Sequence, residues 1–191
     1  MKKRKRLVVI LLILFMFIFC LYDRSKIGNE IDSFKNVDVY HNGLFYAQSY
    51  GENYSEDGYH FGYKWQCVEF VKRFYYQSKD HEMPELLGHA KDFFSYETEQ
   101  GELNESRGLL QYYNGGDVAP EIDDLLVFTD RKYGHVAIIT EVTENDIEVI
   151  QQNVYFKSRQ RFPLTINNGQ YFVGTKREPA GWLRMGYELS L

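Results

Sequence analysis

The sequence predicts an α+β domain behind a single apolar helix. Three observations carry this. Residues 7–22 contain no charge over sixteen positions. Residues 66–78 repeat apolar side chains at spacings of three and four, the period of a helix. From Leu125 onward the period shortens to that of strands, with turn residues between successive runs. Helices first and strands afterwards give N-terminal helices packed on an antiparallel β-sheet.

The first element is the apolar one. Residues 2–6 hold five of the 22 basic residues. A helix apolar on every face does not suit the surface of a water-soluble domain, and basic residues at its start favour a cytoplasmic N terminus. Sixteen residues is short for a membrane span, but Tyr22 and the flanking basic side chains suit the interfaces. No Ala-x-Ala-like cleavage site follows, and Phe17, Ile18 and Phe19 are bulky neighbours for a lipid-modified Cys20. The expectation is a basic flank and uncleaved transmembrane signal anchor over 1–22. This gives a single-pass protein of the cell membrane with its domain on the extracytoplasmic side. Secretion after signal cleavage is the alternative. Residues 23–36 are expected to be a linker and 37–191 one domain.

Within the domain, residues 46–63 have loop composition, centred on "GENYSEDGYHFG". The helix over 66–78 sets Cys67, Phe70, Val71, Phe74 and Tyr75 along one side, with Glu69, Lys72 and Arg73 on other faces. A second helix is expected within 80–96. Strands follow over 125–129, 135–142 and 147–154. Further edge strands are expected over 162–165, 170–175 and 182–189, with Asn167-Asn168-Gly169 as a hairpin turn.

From residue 23 onward 17 basic residues face 27 acidic ones, and no basic stripe marks a nucleic-acid surface. There is no zinc-ligand spacing, phosphate loop, dinucleotide fingerprint or EF-hand, so no metal or organic cofactor is expected. The chain has two cysteines. With Cys20 in the apolar segment, Cys67 has no partner inside the domain. A lone thiol in an oxidising compartment is notable, although free cysteine is often a small buried hydrophobe.

Cysteine attacks as the thiolate, which a helix N terminus favours. Cys67 stands where the helix over 66–78 begins. Of five histidines, His135 opens a strand beside Tyr133-Gly134 and is the candidate base. Gln151 and Asn153 share a strand face and are candidates to orient the imidazole. A three-residue connection at 143–145 puts His135 opposite Asn153, with Gln151 diagonal. A four-residue turn at 143–146 pairs Val136 with Asn153 instead, unless a bulge restores the register. The Gln66 amide and the Cys67 N–H are the expected oxyanion donors.

The stretches "GYKWQCVEFVKRFYY", "GHVAIITEV" and "VIQQNV" resemble the cysteine, histidine-dependent amidohydrolase/peptidase (CHAP) domain, above all the glutathionylspermidine-amidase type. "NVDVYHNG", "NNGQYFV" and "GWLRMGYE" extend the likeness over about residues 37–189. The resemblance implies a papain-like fold, with the cysteine helix packed on a sheet that carries the histidine. It implies Cys67 as nucleophile, His135 as base, Gln66 on the oxyanion side and Asn153 as the asparagine of the family's Glu-Gln-Asn run. The chain departs at Gln151, where those relatives carry glutamate. A glutamine orients an imidazole only by hydrogen bonding, and only in the right tautomer. The implied activity is cysteine-dependent amide hydrolysis. The expected substrate is a peptidoglycan peptide at the cell surface. The alternatives are a small polyamine conjugate, or binding without strong catalysis.

Overall fold

The computed structural model describes residues 2–45, 47–155 and 157–186. α1 spans Lys2–Lys26, and the apolar stretch within it is exposed on every side. Its segment Arg4–Lys26 is long and apolar enough to cross a membrane. Residues 23–36 do not form a free linker. They hold the end of α1 and strand β1 (Glu30–Phe34), which pairs with β2 (Val37–Tyr40) through a turn with positive φ at Lys35 and Asn36. Packing recruits them: Phe34 stacks on Phe74, and Val37 and Val39 enter the core.

The segment expected as a loop over 46–63 contains a small hairpin, β3 (Glu52–Tyr54) with β4 (His60–Tyr63). Next comes α2 (Cys67–Lys79), closed by Asp80 in the left-handed region with its N–H on Tyr75 O. Phe70, Val71, Phe74 and Tyr75 are buried, each such side chain contributing about 1.5–3 kcal/mol. Contrary to expectation, Glu69, Lys72 and Arg73 are buried too. The β2 and β4 backbones cover that side of the helix, and Arg73 donates to both Glu69 Oε1 and Asp38 O. The second helix expected within 80–96 is only a single 3-10 turn, Ala90–Phe93. Pro84 and the positive φ of Gly88 interrupt the run, and Ala90 and Phe93 pin the remaining turn to the core.

Eight strands then form one sheet: β5 (Leu103–Asn104), β6 (Leu109–Tyr113), β7 (Leu125–Phe128), β8 (His135–Val142), β9 (Asp146–Ile150), β10 (Arg159–Asn167), β11 (Gln170–Val173) and β12 (Gly181–Arg184). Their order is β11-β10-β9-β8-β7-β12-β6-β5, with every neighbour antiparallel. The turn between β10 and β11 uses Asn168 and Gly169, both at positive φ. The last strand is shorter than the expected 182–189, and residues 187–189 lie outside those described.

Alternation divides the sheet into two cores. Leu125, Val127, Val136, Ile138 and Leu183 meet α2 on one face. Leu126, Phe128, Ala137, Ile139 and Trp182 face Phe162, Leu164 and Val173 on the other. The sheet curls around this second core. Gly115 N donates to Tyr171 O at 2.7 Å and Tyr171 N to Gly116 O at 2.9 Å, which ties the end of β6 to β11.

Candidate active site

Cys67 is the first residue of α2. Trp65 holds positive φ, and its ring lies 4.3 Å from that of Tyr40. Gln66 is extended, so the helix begins one residue later. Cys67 is half-buried. Burial of its sulfur pushes the thiol up, against the pull of the N–H groups of Val136, Val68 and Cys67 itself.

The histidine side is set by a bulge. β8 and β9 pair Val142 with Ile147 and Glu141 with Glu148, then Ile139 with Val149 and Ile138 with Ile150. The connection is therefore the four-residue one, 143–146, and the irregularity at Thr140 shifts the register by one. Extended along β8, the shifted register sets His135 level with Asn153, the restored arrangement anticipated from sequence. The ladder itself stops at Ile150, and residues 151–155 leave the sheet. Gln151 remains on the side of His135. His135 Nε2 donates to Gln151 Oε1 at 2.9 Å. The Gln151 amide nitrogen faces Lys157 O and Gln160 Oε1, both at 3.3 Å, which fixes the amide in this sense. An acceptor on Nε2 places the imidazole proton there and leaves the lone pair on Nδ1. His135 is 7% exposed. Burial drives its imidazole down to about 4, opposed by the Gln151 hydrogen bond. Both shifts favour the uncharged forms, thiol and imidazole. No hydrogen bond joins these two described side chains directly. They meet through Val136, the residue after His135.

Gly134 brings His135 to this place. Its φ is +71°, and a Cβ there would lie 2.5 Å from both Lys91 N and Phe128 O.

Asn153, expected as a possible orienter, instead joins a series of amides. Asn42 Nδ2 donates to Asn153 Oδ1, Asn153 Nδ2 to Gln66 Oε1, and Gln66 Nε2 to Gln48 O at 2.9 Å. The nitrogen expected to hold an oxyanion is therefore engaged on a loop carbonyl. Gln152, which the sequence reading passed over, is the clamp of the site. It is 1% exposed. It donates to Gln66 O at 3.0 Å and to Glu69 Oε2 at 2.7 Å, and it accepts from Tyr40 N at 2.7 Å. Glu69 also accepts from Asn53 and Arg73, so this buried carboxylate is well supplied with donors. One amide thus joins the loop carrying Gln151 to the start of α2 and to β2.

A sequence profile of the CHAP domain matches residues 58–153, a span from β4 through the end of the Gln151–Asn153 loop. The chain belongs to the CHAP domain family. It is 35% identical over 107 residues to the bifunctional glutathionylspermidine synthetase/amidase of Escherichia coli (strain K12), covering 53% of this chain and 17% of that protein. It is 28% identical over 109 residues to the trypanothione synthetase of Crithidia fasciculata, covering 56% and 17%. A glutathionylspermidine synthase of the same organism is 31% identical over 136 residues, covering 64% and 19%. The chain thus spans less than a fifth of the length of these relatives.

Around the paired residues this CHAP domain adds a charged couple that sequence spacing did not reveal. Arg177 grips Asp130 through Nε and Nη2, at 2.8–3.1 Å. Its guanidinium lies 4.3 Å over the Phe128 ring, and that ring is 6.3 Å from His135. The two charges oppose each other at the imidazole: Arg177 pulls its pKa down and Asp130 pushes it up. They sit on loops 47 positions apart, so no local pattern announces them. Among the described residues, no cluster of three or more His, Cys, Asp or Glu is placed to hold a metal.

Proposed function

We propose that the domain is a cysteine-dependent amidase acting outside the cytoplasmic membrane on an amide of a peptidoglycan peptide. The observation that carries this reading is the His135–Gln151 hydrogen bond. It turns the Nδ1 lone pair into the available base, beside a cysteine at a helix N terminus. Substrate binding draws thiol and imidazole together, a tightening common between free and substrate-bound sites. The Cys67 thiol passes its proton to His135 Nδ1, and the thiolate attacks the amide carbonyl carbon. The oxyanion is held by the Cys67 backbone N–H, which has no intrahelical partner at this position. His135 gives the proton to the leaving amine, and an acyl-thioester remains. Water then gives a proton to Nδ1 as it attacks the thioester. The acid leaves, and the thiol recovers its proton. In this scheme Gln151 orients His135, while Gln66 and Asn153 brace the loop over the helix start.

The extracytoplasmic setting rests on the apolar, uncovered stretch of α1 from Leu7 to Tyr22, taken as an anchor rather than a removable signal. A second reading is favoured by the relatives. An amidase that releases a polyamine from a glutathione conjugate suits their names and the acidic domain. Purified protein given muropeptides and glutathionylspermidine side by side separates the two. Soluble peptide release supports the first reading. Spermidine release with intact muropeptides overturns it. Neither product, with Cys67 unlabelled by a thiol-directed amide probe under reducing conditions, supports a binding role.

A further inference from the structure

The end of α1 is tied to loops that lead to the nucleophile. Asp23, in the last turns of α1, is 7% exposed although the helix before it is uncovered. His41 Nε2 donates to Asp23 Oδ1 at 2.8 Å, and the Leu44 backbone N–H donates to Oδ2 at 3.0 Å. Gly28 N donates to His41 O at 2.9 Å. Gly28 faces the Trp65 indole so closely that a Cβ there would lie 3.3 Å from the ring, and Trp65 is two residues before Cys67. Asn42, next to His41, starts the amides that lead through Asn153 to Gln66. The loops that build the site are therefore fastened to the point where α1 leaves its apolar stretch.

The same end carries exposed aromatics. Tyr22 is on α1, Phe45 follows the Leu44 that Asp23 holds, and Tyr155 closes the Gln151 loop. Tyr155 lines a small cleft together with His41, Asn42 and Gly43, the segment that Asp23 holds. Aromatic rings with one polar edge favour the headgroup level of a bilayer. Arg24 and Lys26 in the last turn suit anionic headgroups. An apolar core of roughly 30 Å needs about 20 helical residues, so a span over the apolar stretch and its flank brings Asp23 to the interface. The acidic remainder of the domain would lift a loosely tethered domain from an anionic surface. The Asp23 and Trp65 contacts oppose that.

We propose that loops 41–45 and 151–155 rest on the headgroups of the bilayer that α1 spans. Cys67 then lies toward the membrane surface and takes an amide of a lipid-attached substrate. In peptidoglycan terms this is the peptide of a lipid-linked precursor and not that of the finished wall. The inference rests on α1 as a retained anchor and on the amidase reading above.

The test uses the full chain with Cys20→Ser, in vesicles of phosphatidylethanolamine and phosphatidylglycerol. A second form carries ten Gly/Ser residues inserted between Tyr22 and Asp23, which leaves the Asp23–His41 contact inside the domain. Energy transfer from a donor on Cys67 to headgroup acceptors is expected to be high with native spacing and to fall several-fold with the insertion. On unlabelled protein, one peptide amide is supplied free and attached to a lipid. The native spacing is expected to cut the lipid-attached form at least tenfold faster. The insertion should remove that preference while leaving the free-peptide rate unchanged. Equal transfer in both forms, or equal rates on both peptides with native spacing, overturns the proposal. High, insertion-sensitive transfer with neither peptide cut supports the membrane contact and overturns the peptide-amidase reading instead.

Discussion

His135 Nε2 donates to Gln151 Oε1 at 2.9 Å, and the other end of the Gln151 amide is turned to Lys157 O and Gln160 Oε1. A neutral acceptor therefore stands where the resemblance implies that the relatives carry a glutamate. It fixes the tautomer but adds no charge to stabilise imidazolium. Gln151→Glu should raise the His135 pKa by at least one unit, about 1.4 kcal/mol in favour of the imidazolium. It should also speed amide hydrolysis near neutral pH by roughly tenfold. Titration of labelled imidazole by NMR, with the pH profile of hydrolysis, measures both. An unmoved imidazole would mean that Gln151 does not govern it.

The thiol is pushed up by burial and the imidazole down to about 4, so the resting pair carries no charge between pH 5 and 7. In a Cys20→Ser background, alkylation of Cys67 by iodoacetamide should be slow in that range. It should rise through one inflection above about pH 8.5, the unperturbed thiol value. A fast plateau at pH 5–7 would reveal a resting thiolate–imidazolium pair and contradict this electrostatic picture.

Stability should carry the signature of the same histidine. The folded imidazole sits at about 4 and an unfolded one near 6.5, so the unfolded chain binds more protons between those values. The stability contribution is complete above about pH 6.5 and is lost as pH falls toward 4, up to about 3 kcal/mol in all. Asp124, held at about 6 by burial against the pull of Arg184, gives the opposite slope in an overlapping range. The difference between wild type and His135→Gln in urea unfolding isolates the histidine. Parallel curves from pH 4 to 7 would exclude its buried, neutral state.

Gln152→Leu removes two donors and an acceptor at once, leaving Tyr40 N, Gln66 O and Glu69 Oε2 each short of a partner. Buried groups left this way make the loss about 3 kcal/mol, or a Tm lowered by roughly 6–12 °C for a chain of this size. Hydrolysis should fall with it, because the start of α2 loses its tie to the Gln151 loop. A Tm within 2 °C of wild type would show that the clamp is dispensable.

Much of this site was legible in the sequence, for particular reasons. The three-and-four spacing after Gln66 located α2, and Cys67 fell on its first residue. The run "HVAIITEV" became β8 with His135 at its start. The register depended on a bulge, and the structure has one at Thr140. What periodicity missed was burial of charge. Glu69, Lys72 and Arg73 look like a solvated face, but their partners come from β2, β4 and Gln152, far away in sequence. Alternation likewise assumed a strand through 154. β9 ends at Ile150, which frees Gln152 to clamp α2 and carries Asn153 to Gln66. The second helix around Leu86 does not form because Pro84 and the positive φ of Gly88 break the apolar run.

The central claim is that Cys67 carries the acyl group of a cleaved amide. Rapid acid quench of the full chain turning over a muropeptide mixture, followed by intact-protein and peptide mass spectrometry, tests it most directly. An acyl adduct on the peptide containing Cys67, absent in His135→Ala and in Cys67→Ala together with all hydrolysis, is the predicted result. Hydrolysis that continues in Cys67→Ala would contradict the account.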